Sequence, residues 1–228
     1  MKTVFVTGSE GYLGSLASET LKTRGHAVIP FDLKLGDDLG DLDSVIEASQ
    51  GATTAVHLAA IPHPTILPFS SYYEANIRNA YHLAEACKVN QIDRLVHIST
   101  AGIYATQPRN FDITDENTPT LFNRGRENVM PEREFYSWSK LAAEAIVGAY
   151  GRGLQVDVMV LRFCPAGSAS TAQDLCDRFV AYTTSELAAT AIYSAVEYPE
   201  YVGYETFNIG EGEIDCSKAK GLFMHDWR

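Results

Sequence analysis

Apolar runs of strand length alternate along this chain with segments of helical period, the pattern of repeated β-α-β units and so of a parallel sheet. Residues 2–7 predict a first buried strand, and 12–24 a helix with Leu13, Leu16, Ala17 and Leu21 on one face. Gly25 ends that helix. Further strands are predicted at 26–31, 53–59, 94–99 and 155–161, with helices at 42–48, 71–89 and 135–150. Beyond these the rhythm loosens. Residues 185–198 read as a helix and 205–209 as a strand, whereas 164–177 and the tail from Glu211 give no firm pattern. One long irregular stretch, 105–133, is rich in Asn, Pro, Arg and Glu, and connections of that length are usually functional or mobile.

The expected fold is therefore α/β: a doubly wound parallel sheet of the Rossmann type with helices on both faces and a reduced C-terminal substrate lobe. Residues 1–162 read as the dinucleotide-binding core carrying the catalytic groups. Residues 163–228 read as a short substrate-binding region plus the final helix and strand of the same domain. With 228 residues, 46% of them hydrophobic, one good-sized core can form. A formal net charge of −11 repels a phosphate backbone, and no Lys/Arg stripe offsets it locally, so nucleic acid is not an expected partner. The chain opens on a strand rather than a cationic leader, and no apolar run approaches bilayer length, so no membrane is expected and a cytoplasmic location is. Cys87, Cys164, Cys176 and Cys216 show no C-x-x-C spacing and read as free thiols. The six histidines lack ligand spacing with carboxylate or thiolate support, so they read as satisfied core or surface residues and no metal is expected.

The first strand runs directly into Gly8-Ser9-Glu10-Gly11-Tyr12-Leu13-Gly14, and a helix opens inside that segment. Glycines there let the backbone turn tightly and approach a pyrophosphate, while free N–H groups and the helix dipole favour its negative charge. Asp32 ends the second strand at the separation expected of a ribose-binding carboxylate, which would repel a 2′-phosphate and favour NAD over NADP. Lys34 stands close enough to offer an anion a counter-charge. Tyr136-Ser137-Trp138-Ser139-Lys140 places Tyr and Lys at i and i+4 of one helix, on one surface. An ammonium beside a phenol stabilises the phenolate, so Lys140 is expected to hold the Tyr136 pKa down. Taken alone, that spacing also describes a half-buried Tyr with a snorkelling Lys.

Read together, these motifs resemble the extended short-chain dehydrogenase/reductase family, also called the NAD-dependent epimerase/dehydratase family. The resemblance spans residues 3–162 in order: the Gly8/Gly11/Gly14 turn, Asp32, Gly36-Asp37-Asp38-Leu39, His57-Leu58-Ala59-Ala60, Asn76, Ile98-Ser99-Thr100-Ala101-Gly102-Ile103-Tyr104, Tyr136 to Lys140, and Leu161-Arg162. It implies Tyr136 as acid/base, Lys140 on the nicotinamide ribose, and Thr100 (or Ser99) bonded to the reacting oxygen. It further implies Asp38 and Leu39 by the adenine, the Leu58-Ala59-Ala60 backbone by the pyrophosphate, and Tyr12, Leu13, Asn76, Ile98, Ser99 and Cys164 around the cofactor.

Within the family, Ala101 and Gly102 stand where sugar-nucleotide dehydratases carry acidic residues after the catalytic Thr, which argues against dehydration. The segment 163–184 is short for gripping a nucleotide diphosphate and resembles that of uronate dehydrogenases, small members that oxidise a free sugar acid. Ala101 replaces a polar residue expected there, and the loop before Tyr136 is longer. The leading expectation is NAD-dependent hydride transfer from a sugar acid or free sugar, with sugar or nucleotide-sugar epimerisation as the alternative and a non-catalytic NAD sensor as a third reading. Candidate substrate contacts are His63, Thr100, Ala101 and Arg178. Arg178 reads either as a carboxylate clamp or as a surface arginine paired with Asp174 or Glu186. A homo-oligomer, a dimer first, is expected, with Tyr182, Tyr193, Tyr198, Tyr201 and Tyr204 in core and subunit contacts.

Overall fold

The computed structural model describes residues 1–62, 66–104, 116–118, 120, 131–153, 155–166 and 181–225. In chain order the elements are β1 (Thr3–Thr7), α1 (Tyr12–Thr23), β2 (Ala27–Phe31), α2 (Leu42–Ala48), β3 (Thr54–His57) and α3 (Phe69–Tyr72). A π-helical turn (Tyr73–Arg78) leads into α4 (Asn79–Val89), followed by β4 (Arg94–Thr100), α5 (Pro131–Arg152) and β5 (Asp157–Phe163). The chain continues with β6 (Ala181–Tyr182), α6 (Ser185–Glu197), β7 (Tyr204–Ile209), β8 (Glu211–Gly212) and α7 (Ser217–Leu222).

Six strands form one sheet in the order β2-β1-β3-β4-β5-β7, every pair parallel, with Thr7 in register with His57 and His57 with His97. The sheet is buried on both faces because its strands alternate apolar residues between two helical layers. Val4, Val6, Val56, Val96, Met159 and Phe207 face α1 and α6, meeting Ala17, Leu21, Ala188, Ala191 and Ala195. Phe5, Ala55, Leu95, Val158 and Val160 face α2, α4 and α5, meeting Val45, Leu83, Ala84, Ala143 and Val147. The predicted doubly wound α/β sheet is thus the observed one.

After β2 the chain crosses back over β1 to build the rest of the sheet on the other side. The crossing places a crevice at the carboxyl ends of β1 and β3, where neighbouring connections diverge to opposite faces and ligands bind in open α/β sheets.

Element boundaries differ from the sequence pattern for identifiable reasons. The helix predicted at 71–89 begins at Phe69 and opens into a π-helical turn, where Asn76 Oδ1 accepts from Ile61 N at 2.8 Å and Asn76 Nδ2 donates to Ser139 Oγ at 2.8 Å. The helix predicted at 135–150 starts at Pro131, a residue whose fixed φ and missing N–H suit a first turn. Strand β5 starts later than predicted, at Asp157, whose carboxylate is bonded to Arg94 Nε at 2.8 Å and to Val202 N and Gly203 N at 2.9 and 2.8 Å. The tail, silent in sequence, forms β8 and α7. Among the described residues no helix is long and apolar enough to cross a membrane.

Candidate active site

The crevice is entered through the β1-to-α1 turn. Gly8 lies at φ +71°, and a Cβ there would stand 2.6 Å from Ala59 N. At Gly14 a Cβ would lie 1.9 Å from Gly8 O, a distance no real atom pair tolerates. Only glycine at both positions lets turn, helix and β3 exit pack this closely. Gly14→Ala is therefore expected to lower stability by about 1 to 3 kcal/mol, read as a lower urea midpoint; an unchanged midpoint would show that the turn has slack. Gly11 begins α1 without a capping side-chain hydrogen bond, as suits a helix start that receives an anion.

Beside this turn lies a cleft of about 280 Å³ lined by Gly8, Gly11, Asp32, Leu39, Ala59 and Asn79 among others. Phe31, Leu58, Ala60, Ile61, Ala75, Asp37 and Asp38 complete much of its wall. Asp32 accepts from Glu10 N at 3.0 Å and from Lys34 N at 2.9 Å, which fixes its carboxylate at the rim. Lys34 is not an unbound cation there, since its Nζ donates to Glu10 O at 2.8 Å. His82 Nδ1 donates to Leu39 O at 2.7 Å and so ties the Asp38-Leu39 turn to α4. Leu13 packs on the core from α1, and Tyr12 is exposed with its hydroxyl bonded to Ser185 Oγ.

A chain of hydrogen bonds runs from this cleft to α5. Ile61 N donates to Asn76, Asn76 Nδ2 donates to Ser139 Oγ, and Ser139 Oγ donates to Tyr136 O at 2.7 Å. These bonds hold the helix carrying Tyr136 and Lys140 against the ends of β3 and β4. At the end of β4, Thr100 Oγ1 accepts from Gly102 N at 3.1 Å, capping a short 3₁₀ turn that contains Ala101. The Thr100 side chain also lies close enough to the Tyr136 phenol to pull its pKa down. Thr100 thus stands where Ser99 does not: the Ser99 hydroxyl is buried with no partner among the described residues. Ile98, two residues back on β4, is buried in the core.

The electrostatics overturn one expectation from the sequence. Burial pushes the Tyr136 phenol up to about 12, more than the neighbouring Thr100 side chain pulls it down, and nearby Tyr72 pushes it further up. Lys140, 4% exposed, does not hold the phenol down; burial lowers its own pKa to about 8, with Glu144 acting in the opposite sense. Its charge is felt instead by His57 and His97, whose rings lie 5.2 Å apart and which burial and Lys140 together keep neutral, His57 at about 3. His57 shares a 2.7 Å hydrogen bond with Thr7 Oγ1, but both His97 nitrogens lack partners among the described residues, so that core histidine is not the satisfied one expected.

Behind the site Arg162 is locked by Glu144 at 2.8 Å and donates to Tyr104 OH at 2.9 Å, and Tyr104 OH donates to Asn208 Oδ1 at 2.6 Å. Cys164 is buried at the end of β5, its thiol pushed up by burial and packed close against Gly210. Tyr201 is exposed, whereas Tyr182 is buried and Tyr193, Tyr198 and Tyr204 pack on the core. His63 and Arg178 lie outside the described residues. The sequence pattern does not single out Tyr72, Ala75 or Asn79. A polar residue on an exposed-looking helix face gives no sign of a cleft, though Asn79 in a helix interior, where Ala is favoured, is a faint one.

A family model described as the NAD dependent epimerase/dehydratase family matches residues 4–210. L-arabinose 1-dehydrogenase (NAD(P)(+)) of Haloferax volcanii is 32% identical over 174 residues, 71% of this chain and 66% of that protein, so the chain spans just under two thirds of that relative's length. The structure of UDP-N-acetylglucosamine 4-epimerase from Bacillus cereus is 25% identical with a TM-score of 0.79, covering 98% of this chain and 92% of that one. A mutated uronate dehydrogenase shares the fold at a TM-score of 0.75 and 18% identity, covering 97% of this chain and 80% of the other.

Proposed function

The chain belongs to the NAD dependent epimerase/dehydratase family, and from that membership we propose that it is an NAD-dependent oxidoreductase acting on a hydroxyl of a small carbohydrate, a free sugar or a sugar acid. The observation that carries this is the approach of the Thr100 side chain to the Tyr136 phenol at the carboxyl end of β4, close enough to pull its pKa down, with Lys140 one turn along α5. In this reading Tyr136 is the proton-transferring phenol, Thr100 the hydroxyl that holds the reacting oxygen and Lys140 a buried ammonium on the same helix as the phenol.

The residues present fit a dinucleotide. The α1 N-terminus is uncapped and the glycine turn clears its approach, as a pyrophosphate requires. In this reading Gly8, Gly11, Tyr12, Leu13 and Gly14 hold the pyrophosphate together with Leu58, Ala59 and Ala60. Asp32 takes the adenosine ribose, Asp38 and Leu39 the adenine, and Ile98, Ser99, Asn76 and Cys164 surround the nicotinamide side. NAD bound there supplies the hydride acceptor.

The chain's own groups do the rest. Thr100 holds the substrate oxygen, and Tyr136 exchanges the proton on it. Lys140 binds the ribose hydroxyls through its buried ammonium. Ala101, with His63 and Arg178 as further candidates, lines the substrate side. The similarity to an L-arabinose dehydrogenase supports a free sugar as substrate. The likeness to a UDP-sugar epimerase favours a second reading, nucleotide-sugar epimerisation, in which Thr100 and Tyr136 keep the same oxygen and proton roles and no reduced cofactor leaves.

A screen of pentoses, hexoses, their uronic acids and UDP-sugars, followed at the NADH absorbance band, separates these readings. Net NADH with a free sugar or sugar acid is the expected result. Interconversion of a UDP-sugar without NADH would establish the epimerase instead. NAD binding with neither reaction would leave the family fold serving as a sensor.

A further inference from the structure

We propose that Asn79 is a specificity-determining residue that reads the adenine ring of the dinucleotide, an assignment resting on the function proposed above. Asn79 opens α4 and lines the 280 Å³ cleft, yet its Oδ1 is buried with no hydrogen-bond partner among the described residues. A buried amide oxygen left unpaired is costly, and such groups in otherwise well-paired proteins call for an explanation.

The neighbouring carboxylates already carry backbone bonds. Asp32 takes the N–H groups of Glu10 and Lys34, Asp37 Oδ2 takes Asp32 N, and Asp38 Oδ1 takes Gly40 N. Asn79 is thus the uncommitted neutral amide in a slot whose other walls are largely apolar, with Phe31, Leu39, Leu58 and Ala75 among them. His82, one turn along the same helix, bonds Leu39 O and so fixes the opposite wall.

A flat heteroaromatic ring with apolar faces and a polar edge matches such a slot. An asparagine amide offers an acceptor and a donor side by side, the pair that complements the amino group and adjacent ring nitrogen of adenine. A site built to hydrogen-bond an amino group rejects an analogue that lacks it, because its own polar atom is then left unpaired.

The test is calorimetric titration of the full chain with NAD and with nicotinamide hypoxanthine dinucleotide, in which an oxo group replaces the adenine amino group. The wild type is expected to bind NAD at least tenfold more tightly than the analogue. In Asn79→Ala that preference is expected to fall at least fivefold, chiefly through weaker NAD binding. The unliganded variant should melt at or above the wild-type temperature, since it loses no hydrogen bond and gains helix propensity. Equal binding of the two dinucleotides by the wild type, or a preference within twofold of the wild type's in Asn79→Ala, overturns the assignment of Asn79 alone. A wild type that binds neither dinucleotide refutes the NAD-binding reading and this inference with it.

Discussion

Tyr136→Phe is expected to lower turnover by about 10³-fold, the scale of a lost general acid–base group, while the dinucleotide Kd stays within a few-fold. The ring is kept and Thr100 keeps its bond from Gly102 N, so only the hydroxyl and its transferable proton disappear. The direction of catalysis sharpens the test. With its pKa at about 12, the phenol of the free protein is protonated at neutral pH and ready to donate, which suits reduction of a carbonyl. Oxidation needs the phenolate, so its rate should climb with pH across the alkaline range, whereas reduction should not. Both that slope and the turnover should vanish in the Phe variant. Turnover within tenfold of the wild type, or an alkaline slope that survives the substitution, would remove Tyr136 from proton transfer.

How much of this was legible before any coordinates follows from what each residue type can signal. Gly8 and Gly14 announce themselves because only glycine tolerates the positive φ at one and the contact with Gly8 O at the other. Thr100, Tyr136 and Lys140 are legible through their order and the i, i+4 spacing, which fixes their surface whatever the detail of packing. The alternating strands give the sheet, since burial on both faces leaves little choice of residue.

Burial itself is what a sequence withholds. The pattern Tyr136-x-x-x-Lys140 predicts a depressed phenol pKa, and desolvation reverses it. The π-helical turn that aims Asn76 inward depends on partners 15 and 63 residues away, at Ile61 and Ser139, which no local period encodes. Strands β6 and β8 are too short for periodicity, and the cleft-facing side of α4 reads like a solvated face.

Lys140→Met is expected to damage function and yet stabilise the fold. The ammonium is 4% exposed and its pKa falls from 10.5 to about 8, chiefly through burial. Holding the charged form at neutral pH therefore costs about 3 kcal/mol relative to an unburied lysine, at 1.36 kcal/mol per pKa unit. Met fills nearly the same volume without a charge. Glu144, the carboxylate that partly offsets that cost, keeps its own partner in Arg162. At pH 7 the variant should unfold roughly 5 °C or more above the wild type, since 1 kcal/mol is about 2–4 °C for a chain of this size.

The pH dependence fixes the cause. Below pH 8 both states of the wild type hold the lysine proton and the full cost is present. Between about 8 and 10.5 the folded chain has released a proton that the unfolded chain still holds, so wild-type stability rises with pH. Lys2 and the buried thiols titrate in both proteins, so the gap between the two melting curves isolates Lys140, and it should close across that window. Over the same comparison NAD affinity should drop at least tenfold, because the group that would meet the ribose hydroxyls is gone. A variant less stable than the wild type at pH 7, or a gap that stays constant to pH 10.5, would show that Lys140 is already paired in the free protein. Unchanged NAD affinity would show that it does not face the cofactor.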